Sequence, residues 1–165
     1  TKLRFISVNS PVKTIGRSVF AGCKTLRRVS IPSSVEIIES NAFESCNCLV
    51  QVDVPPGVAF LGENVFSGCM SLSEIRIPNV KKLDYGTFSY CLALKEIVVP
   101  DSVTEIGHCC FDGCQSLERI SIPKSVVYIG NKVLNNCKAL KEIKIPNSLV
   151  SFLHLTNSSV KIVGF

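Results

Sequence analysis

The sequence predicts a repeat solenoid of about seven coils, with one parallel β-sheet along one side and short helical or 3₁₀ turns along the other. Three observations predict it. Cysteines recur at 23, 46, 69, 91, 114 and 137, a period of 23 residues with a single copy of 22 between Cys69 and Cys91. Five further columns hold Leu, Val, Ile or, once, Phe in all 35 of their places, although only 46% of the chain is hydrophobic. The order of residue types also returns in each copy, so that coils begin near residues 1, 23, 46, 69, 91, 114 and 137.

Within a copy each piece has a physical reading. A leucine follows the cysteine by three positions, at 26, 49, 72, 94, 117 and 140, and Leu3 extends the column upstream. Val or Ile occupies positions six and eight, as in Glu96-Ile97-Val98-Val99, where the second and fourth side chains point inward and the others outward. That alternation is the period of a half-buried strand. Proline then lacks the N–H that would carry the ladder on. The expected strands therefore end near Asn9, Pro32, Pro55, Pro78, Pro100, Pro123 and Pro146.

The next segment, Ser102 to Gly107, buries Val103 and Ile106, and glycine recurs in its last slot at 16, 62, 107 and 130. A turn of positive φ is expected there, although Glu39 and Asp84 share the slot. Phenylalanine follows at 20, 43, 66, 88 and 111, with Leu134 standing in for the sixth. Roughly eight residues remain before the next cysteine, room for one or two helical turns at most. One such unit cannot bury its own apolar edge. Copies stacked in register roughly 4.8 Å apart share a continuous core and align their strands in one sheet.

The chain of 165 residues, with 19% charged residues, is one domain's worth with a well-buried core. No apolar run reaches the length that spans a membrane. The net charge of +5 comes from 18 basic and 13 acidic residues that are interspersed, a pattern unlike that of a polyanion binder. The chain opens mid-repeat, TKLRF, with neither Met nor a signal-peptide pattern, and an upstream continuation of the array is expected. A monomer, or part of a longer array, follows. After residue 152 the phase dissolves into HLTNSSVKIVGF, so residues 1–152 read as the array and 153–165 as a closing cap with a last strand. The sequon Asn157-Ser158-Ser159 lies in that polar stretch, where such a triplet arises easily by chance.

The copies LKEIVVPDSVTEIGHCCFDGC and LRRVSIPSSVEIIESNAFESC resemble the BspA-like, treponemal-type class of leucine-rich repeats over nearly the whole chain. The resemblance implies a leucine-rich-repeat solenoid. It also implies a surface-exposed or secreted protein of the adhesion type, since members of that family are surface proteins of bacteria and parasitic protists implicated in adhesion. The first copy departs from the pattern, lacking its cysteine and carrying Asn9 for proline, and the last has Asn157 in the phenylalanine slot.

Nine cysteines invite chemistry. The six periodic ones are expected to pack inward as an unreactive ladder, because free cysteine behaves as a small hydrophobe. A spacing of 23 residues in a flat ladder does not build a zinc tetrahedron. The cluster His108-Cys109-Cys110 resembles a ligand set, but Cys110 falls in the small apolar column of Val19, Ala42, Val65 and Val133. Neither a nucleophile and base pair nor a phosphate loop occurs, so no enzyme, cofactor or metal is implied.

What remains is surface. The outward columns of the strand side place Arg28, Asp53, Glu74, Arg76, Glu96 and Arg119 at its charged centre, and 13 of their 21 positions are charged. The expected function is recognition of a protein or glycan ligand by that face. The bland alternative is a solvated face whose charges pair across strands. Nucleic acid is not expected, because acidic residues interrupt the basic ones and aromatic platforms are nearly absent. Behind Val103 and Ile106, Ile37 and Phe60 form an apolar pair on consecutive coils, a second possible contact surface. An intracellular, cytoplasmic scaffold and a thiol or metal-binding protein are the alternative functions. Nine cysteines without a disulfide framework favour an intracellular life, and the family resemblance a surface one.

Overall fold

The computed structural model describes residues 4–7, 11–153 and 159–165; Leu3, Asn9, Asn157 and Ser158 lie outside them. Strands form where the columns alternate. One ladder holds β1 (Phe5–Ser7), β3 (Arg28–Ser30), β5 (Gln51–Asp53), β8 (Glu96–Val98), β10 (Arg119–Ser121), β12 (Glu142–Ile145) and β13 (Lys161–Gly164). A second ladder, where the sequence predicts only a buried turn, holds β2 (Thr14–Ile15), β4 (Ile37–Ile38), β6 (Phe60–Leu61), β7 (Lys82–Leu83), β9 (Glu105–Ile106) and β11 (Tyr128–Ile129). All pairings are parallel and in register, for example Ile97 with Ile120 and Ile120 with Ile143. The chain is a β-solenoid with parallel sheets and almost no helix.

The core runs the length of the stack. Leu26, Leu49, Leu72, Leu94, Leu117 and Leu140 are buried, as are Val35, Val58, Val80, Val103 and Val126. The phenylalanine rings stack along the axis, with centroids 5.6 Å apart for Phe43 and Phe66 and 5.7 Å for Phe66 and Phe88. Each periodic thiol from Cys46 on also donates a hydrogen bond back to a phenylalanine carbonyl, Cys91 Sγ to Phe66 O at 3.3 Å and Cys114 Sγ to Phe88 O at 3.2 Å. The same carbonyl accepts its own coil's backbone N–H, as when Cys69 N donates to Phe66 O at 3.1 Å. Both lone pairs are thereby used. Cys23 alone among the six stays half-buried, at the end of the stack.

The helical turns expected before each cysteine are absent, and the backbone shows why. Residues 18, 41, 64, 86, 109 and 132 have positive φ, and so do residues 22, 45, 68, 90, 113 and 136. A left-handed residue every four positions ends a right-handed helix before it closes a turn. The one 3₁₀ helix among the described residues is Asn147–Phe152. Positive φ therefore does not fall on Gly16, Gly62, Gly107 or Gly130, as the sequence reading expects. Gly62 and Gly130 answer a different need, since a Cβ there would lie 2.5 Å from the backbone nitrogen of Ser40 and of His108.

The expected single sheet is broken. Strand β5 does not pair with the next coil, and Ser73–Ile77 forms no strand, so the front ladder falls into halves of three and four strands. The second ladder parts at the same place, between β6 and β7. The cause is the short copy. Pro78-Asn79-Val80 lacks one residue that Pro55-Pro56-Gly57-Val58 and Pro100-Asp101-Ser102-Val103 have. Val80 N accordingly bonds Pro78 O at 2.8 Å, two residues back, whereas Val58 bonds Pro55 and Val103 bonds Pro100, three back. The tighter turn draws the strand's end out of line. Ile75 is only half-buried, while Val52 and Ile97 in the same column are buried. The turn side stays stitched, with Asn64 N to Tyr85 O at 2.8 Å and Phe66 N to Thr87 O at 2.9 Å.

Candidate functional site

The six charged residues singled out from the sequence are all exposed on the front side of the stack. Strand alternation puts Arg28, Asp53, Glu96 and Arg119 there, with buried Val29, Val52, Ile97 and Ile120 pointing the other way, while Glu74 and Arg76 keep the outward alternation on a segment that forms no strand. Their environments differ. Toward the C-terminus the face neutralises itself across strands: Arg119 Nη2 lies 3.1 Å from Glu96 Oε2, Lys141 Nζ 2.9 Å from Glu118 Oε2, and Lys161 Nζ 3.6 Å from Glu142 Oε2. The Lys141 hydrogen bond holds the Glu118 carboxyl below the usual carboxylate range, and Glu96 holds the Arg119 guanidinium more firmly protonated. Exposed pairs of this kind add little stability. Arg28, Glu74 and Arg76 have no ion-pair partner among the described residues.

The break gathers four of the six. An open cleft of roughly 700 Å³ lies between the third and fourth coils, and Asp53, Glu74, Arg76 and Glu96 line it, with Gln51 and Asn79 beside them. A smaller opening of roughly 370 Å³ lies on the other side of the displaced segment, between Ile75, Ile77, Val98 and Pro100. Arg28 and Arg119 stand outside both clefts. Sequence reasoning missed Gln51, Asn79 and the cleft itself. Its signal was the 22-residue spacing, which counts as an irregularity until the lost residue is placed in the turn after the strand.

The other candidate groups lie apart. Burial pushes the thiols of Cys46 and Cys137 up to about 12, and those of Cys69, Cys91, Cys110 and Cys114 well above their ordinary value. Cys110 is buried, whereas His108 is exposed and accepts a hydrogen bond from Asn131 N at Nδ1, 2.8 Å away. The remaining ring nitrogen, Nε2, lies 3.3 Å from the Tyr128 hydroxyl. Among the described residues no three His, Cys, Asp or Glu side chains are placed to hold a metal ion. Ile37 and Phe60 are exposed and paired in register on the second ladder.

Coils of about 23 residues stacked with parallel strands in register, and with a leucine, a cysteine and a phenylalanine of each inner coil in the core, place the chain in the leucine-rich-repeat class of solenoid. The chain belongs to the BspA type leucine rich repeat family, whose six-copy region matches it over residues 1–115 and 81–159. It is similar in structure to the leucine rich repeat protein of T. pallidum, with 29% identity and a TM-score of 0.75 over 83% of this chain and 68% of that one. It is also similar to a leucine rich cell surface protein of Faecalibacterium prausnitzii, with 28% identity and a TM-score of 0.74 over 95% of this chain and 52% of that one. The pneumococcal vaccine antigen PcpA, 20% identical with a TM-score of 0.66 over 84% of this chain and 41% of that one, shares the fold. The chain thus spans about half to two thirds of the first two relatives. Comparison with curated proteins finds no match.

Proposed function

We propose that this chain is a recognition module of a cell-surface or secreted protein of the adhesion type, which binds a protein or glycan ligand through its front ladder. One observation carries the reading: among the described residues Asp53, Glu74 and Arg76 stand exposed and without ion-pair partners around an open cleft, Asp53 on β5 and the other two on the unpaired segment facing it. In the C-terminal half of the ladder, by contrast, Glu96, Glu118 and Glu142 are each paired across strands, with Arg119, Lys141 and Lys161. The surface setting draws on the F. prausnitzii relative, which is described as a cell surface protein. The family consists of repeat proteins of a fold used for binding, and the chain reads as a binder rather than a catalyst.

The test is a charge-reversed variant, D53K/E74K/R76E/E96K, screened beside the parent on a glycan array and a panel of immobilised proteins. For any ligand bound by the parent, the variant is expected to lose affinity and salt dependence. Its stability should stay within about 0.5 kcal/mol per substitution, because the sites are exposed. K82E/E105K on the second ladder is the control and is expected to leave binding unchanged. Loss of binding in the control with retention in the first variant would move the contact surface to the second ladder.

A further inference from the structure

The displaced segment carries a second property beside its charge. Among the described residues, no backbone N–H or C=O of Ser73, Glu74, Ile75, Arg76 or Ile77 makes a backbone hydrogen bond, although every other inner coil has paired strands here. The facing edges of β5 and β8 are unpaired in consequence. The side chains still alternate along it, Glu74 and Arg76 exposed with Ile75 half-buried and Ile77 buried, and free donors and acceptors on such a run are the template that an added strand uses. Unlike the edge of an ordinary sheet, it sits in the middle of the face, with a wall on either side.

From this geometry we infer that the cleft takes an extended, basic polypeptide segment, which bonds through its main chain to Ser73–Ile77. The inference rests on the proposed binding role of the front ladder and names the ligand class for it. Three features select that class. The unpaired backbone matches the alternating N–H and C=O groups of an extended peptide, and five residues reach roughly 16 Å along it. The lining carries three carboxylates, Asp53, Glu74 and Glu96; Glu96 is paired with Arg119 from outside the cleft, which leaves Asp53 and Glu74 against one guanidinium, Arg76, a net acidic site on a chain whose net charge is +5. Its other residues, among them Gln51, Pro56, Ile75 and Pro78, include no aromatic ring. The electron-rich face on which a sugar ring stacks is therefore missing, and a peptide is favoured over a glycan.

The probe is a fluorescein-labelled peptide, acetyl-Lys-Thr-Lys-Thr-Lys-Thr-amide, with two companions: the Glu-for-Lys version, and the lysine version N-methylated at its three threonines. Anisotropy is expected to show saturable binding of the lysine peptide, tenfold or more weakening on N-methylation, and no binding of the acidic peptide. One serine inserted after Pro78 restores the Pro-x-x-Val spacing of the other coils. It is expected to re-form the fourth strand, to keep or raise the melting temperature, and to weaken the lysine peptide at least tenfold. D53N/E74Q, which leaves the backbone alone, is expected to weaken it three- to tenfold and to flatten its salt dependence.

Failure of the lysine peptide to bind, equal binding of the N-methylated or acidic version, or equal binding by the insertion variant would overturn the inference. So would a glycan whose binding is lost on insertion and is unaffected by excess lysine peptide. These outcomes are separable from the broader reading. A ligand that tolerates the insertion but is lost on R28E/R119E leaves the front ladder as the binding face and removes the cleft from it.

Discussion

The protein is expected to unfold in a steep transition as pH rises from 8 to about 10.5. Six thiols, Cys46, Cys69, Cys91, Cys110, Cys114 and Cys137, are raised above their ordinary value, chiefly by desolvation. In the unfolded chain each titrates near 8.5. Above that pH the unfolded state sheds protons that the folded state keeps, so the stabilisation from holding neutral thiols is complete below 8.5 and is lost as pH climbs toward 12. One unit above the unfolded value each thiol that stays protonated in the folded state has lost roughly 1.4 kcal/mol, and six together on the order of 8, comparable to the whole stability of a domain.

Urea titrations at half-unit intervals of pH measure this directly. Stability that stays flat from pH 7.5 to 10 would show that the ladder is not shut away from water. Cys91→Ala should lower stability at pH 7 and make the decline shallower by one thiol's share. At pH 8 a thiol reagent should find the half-buried Cys23, Cys48 and Cys109 first, and the other six only after denaturant.

Phe88→Ala is expected to cost about 3–5 kcal/mol, the range for emptying a fully buried aromatic site. Phe88 is fully buried, with its ring 5.7 Å from Phe66 and 5.6 Å from Phe111, the latter at an interplanar angle of only 2°. Removing it opens a void that the flanking rings cannot fill, because each is fixed by its own coil. Phe20→Ala should cost visibly less, since Phe20 is half-buried and has a stacked neighbour on one side only among the described residues. Equal costs in equilibrium urea denaturation would mean that the stack acts through something other than burial.

Much of this was legible in the residues. Where a column admits only Val, Ile or Leu, burial follows with no further information, and Val29, Ile97 and Ile143 lie where the alternation puts them. The thiol hydrogen bonds were not legible: the cysteine column reads as small hydrophobes, and the acceptor, a backbone carbonyl some 26 residues back, leaves no mark in sequence. The left-handed turns were hidden for another reason. Ser18, Asn41, Asn64, Gly86, Cys109 and Lys132 share one backbone conformation without sharing a side-chain type. Of the candidate site, the exposed positions followed from strand alternation. The cleft did not, because one absent residue at Pro78-Asn79-Val80 acts through the loss of pairing in two neighbouring strands.

That absent residue also divides the molecule energetically. In a linear stack, stability is a sum of each coil's own folding term and its coupling to its neighbours. At the third and fourth coils the coupling has lost both strand ladders and keeps the turn-side bonds and the shared core. Opening that begins at either end therefore meets its weakest link there. The coils on the two sides behave as two cooperative blocks joined by a hinge of low coupling. Amide exchange should show two levels of protection, one for β1, β3 and β5 and another for β8, β10 and β12, with the Ser73–Ile77 amides exchanging ahead of both. A single uniform level would mean that the core alone transmits cooperativity across the gap.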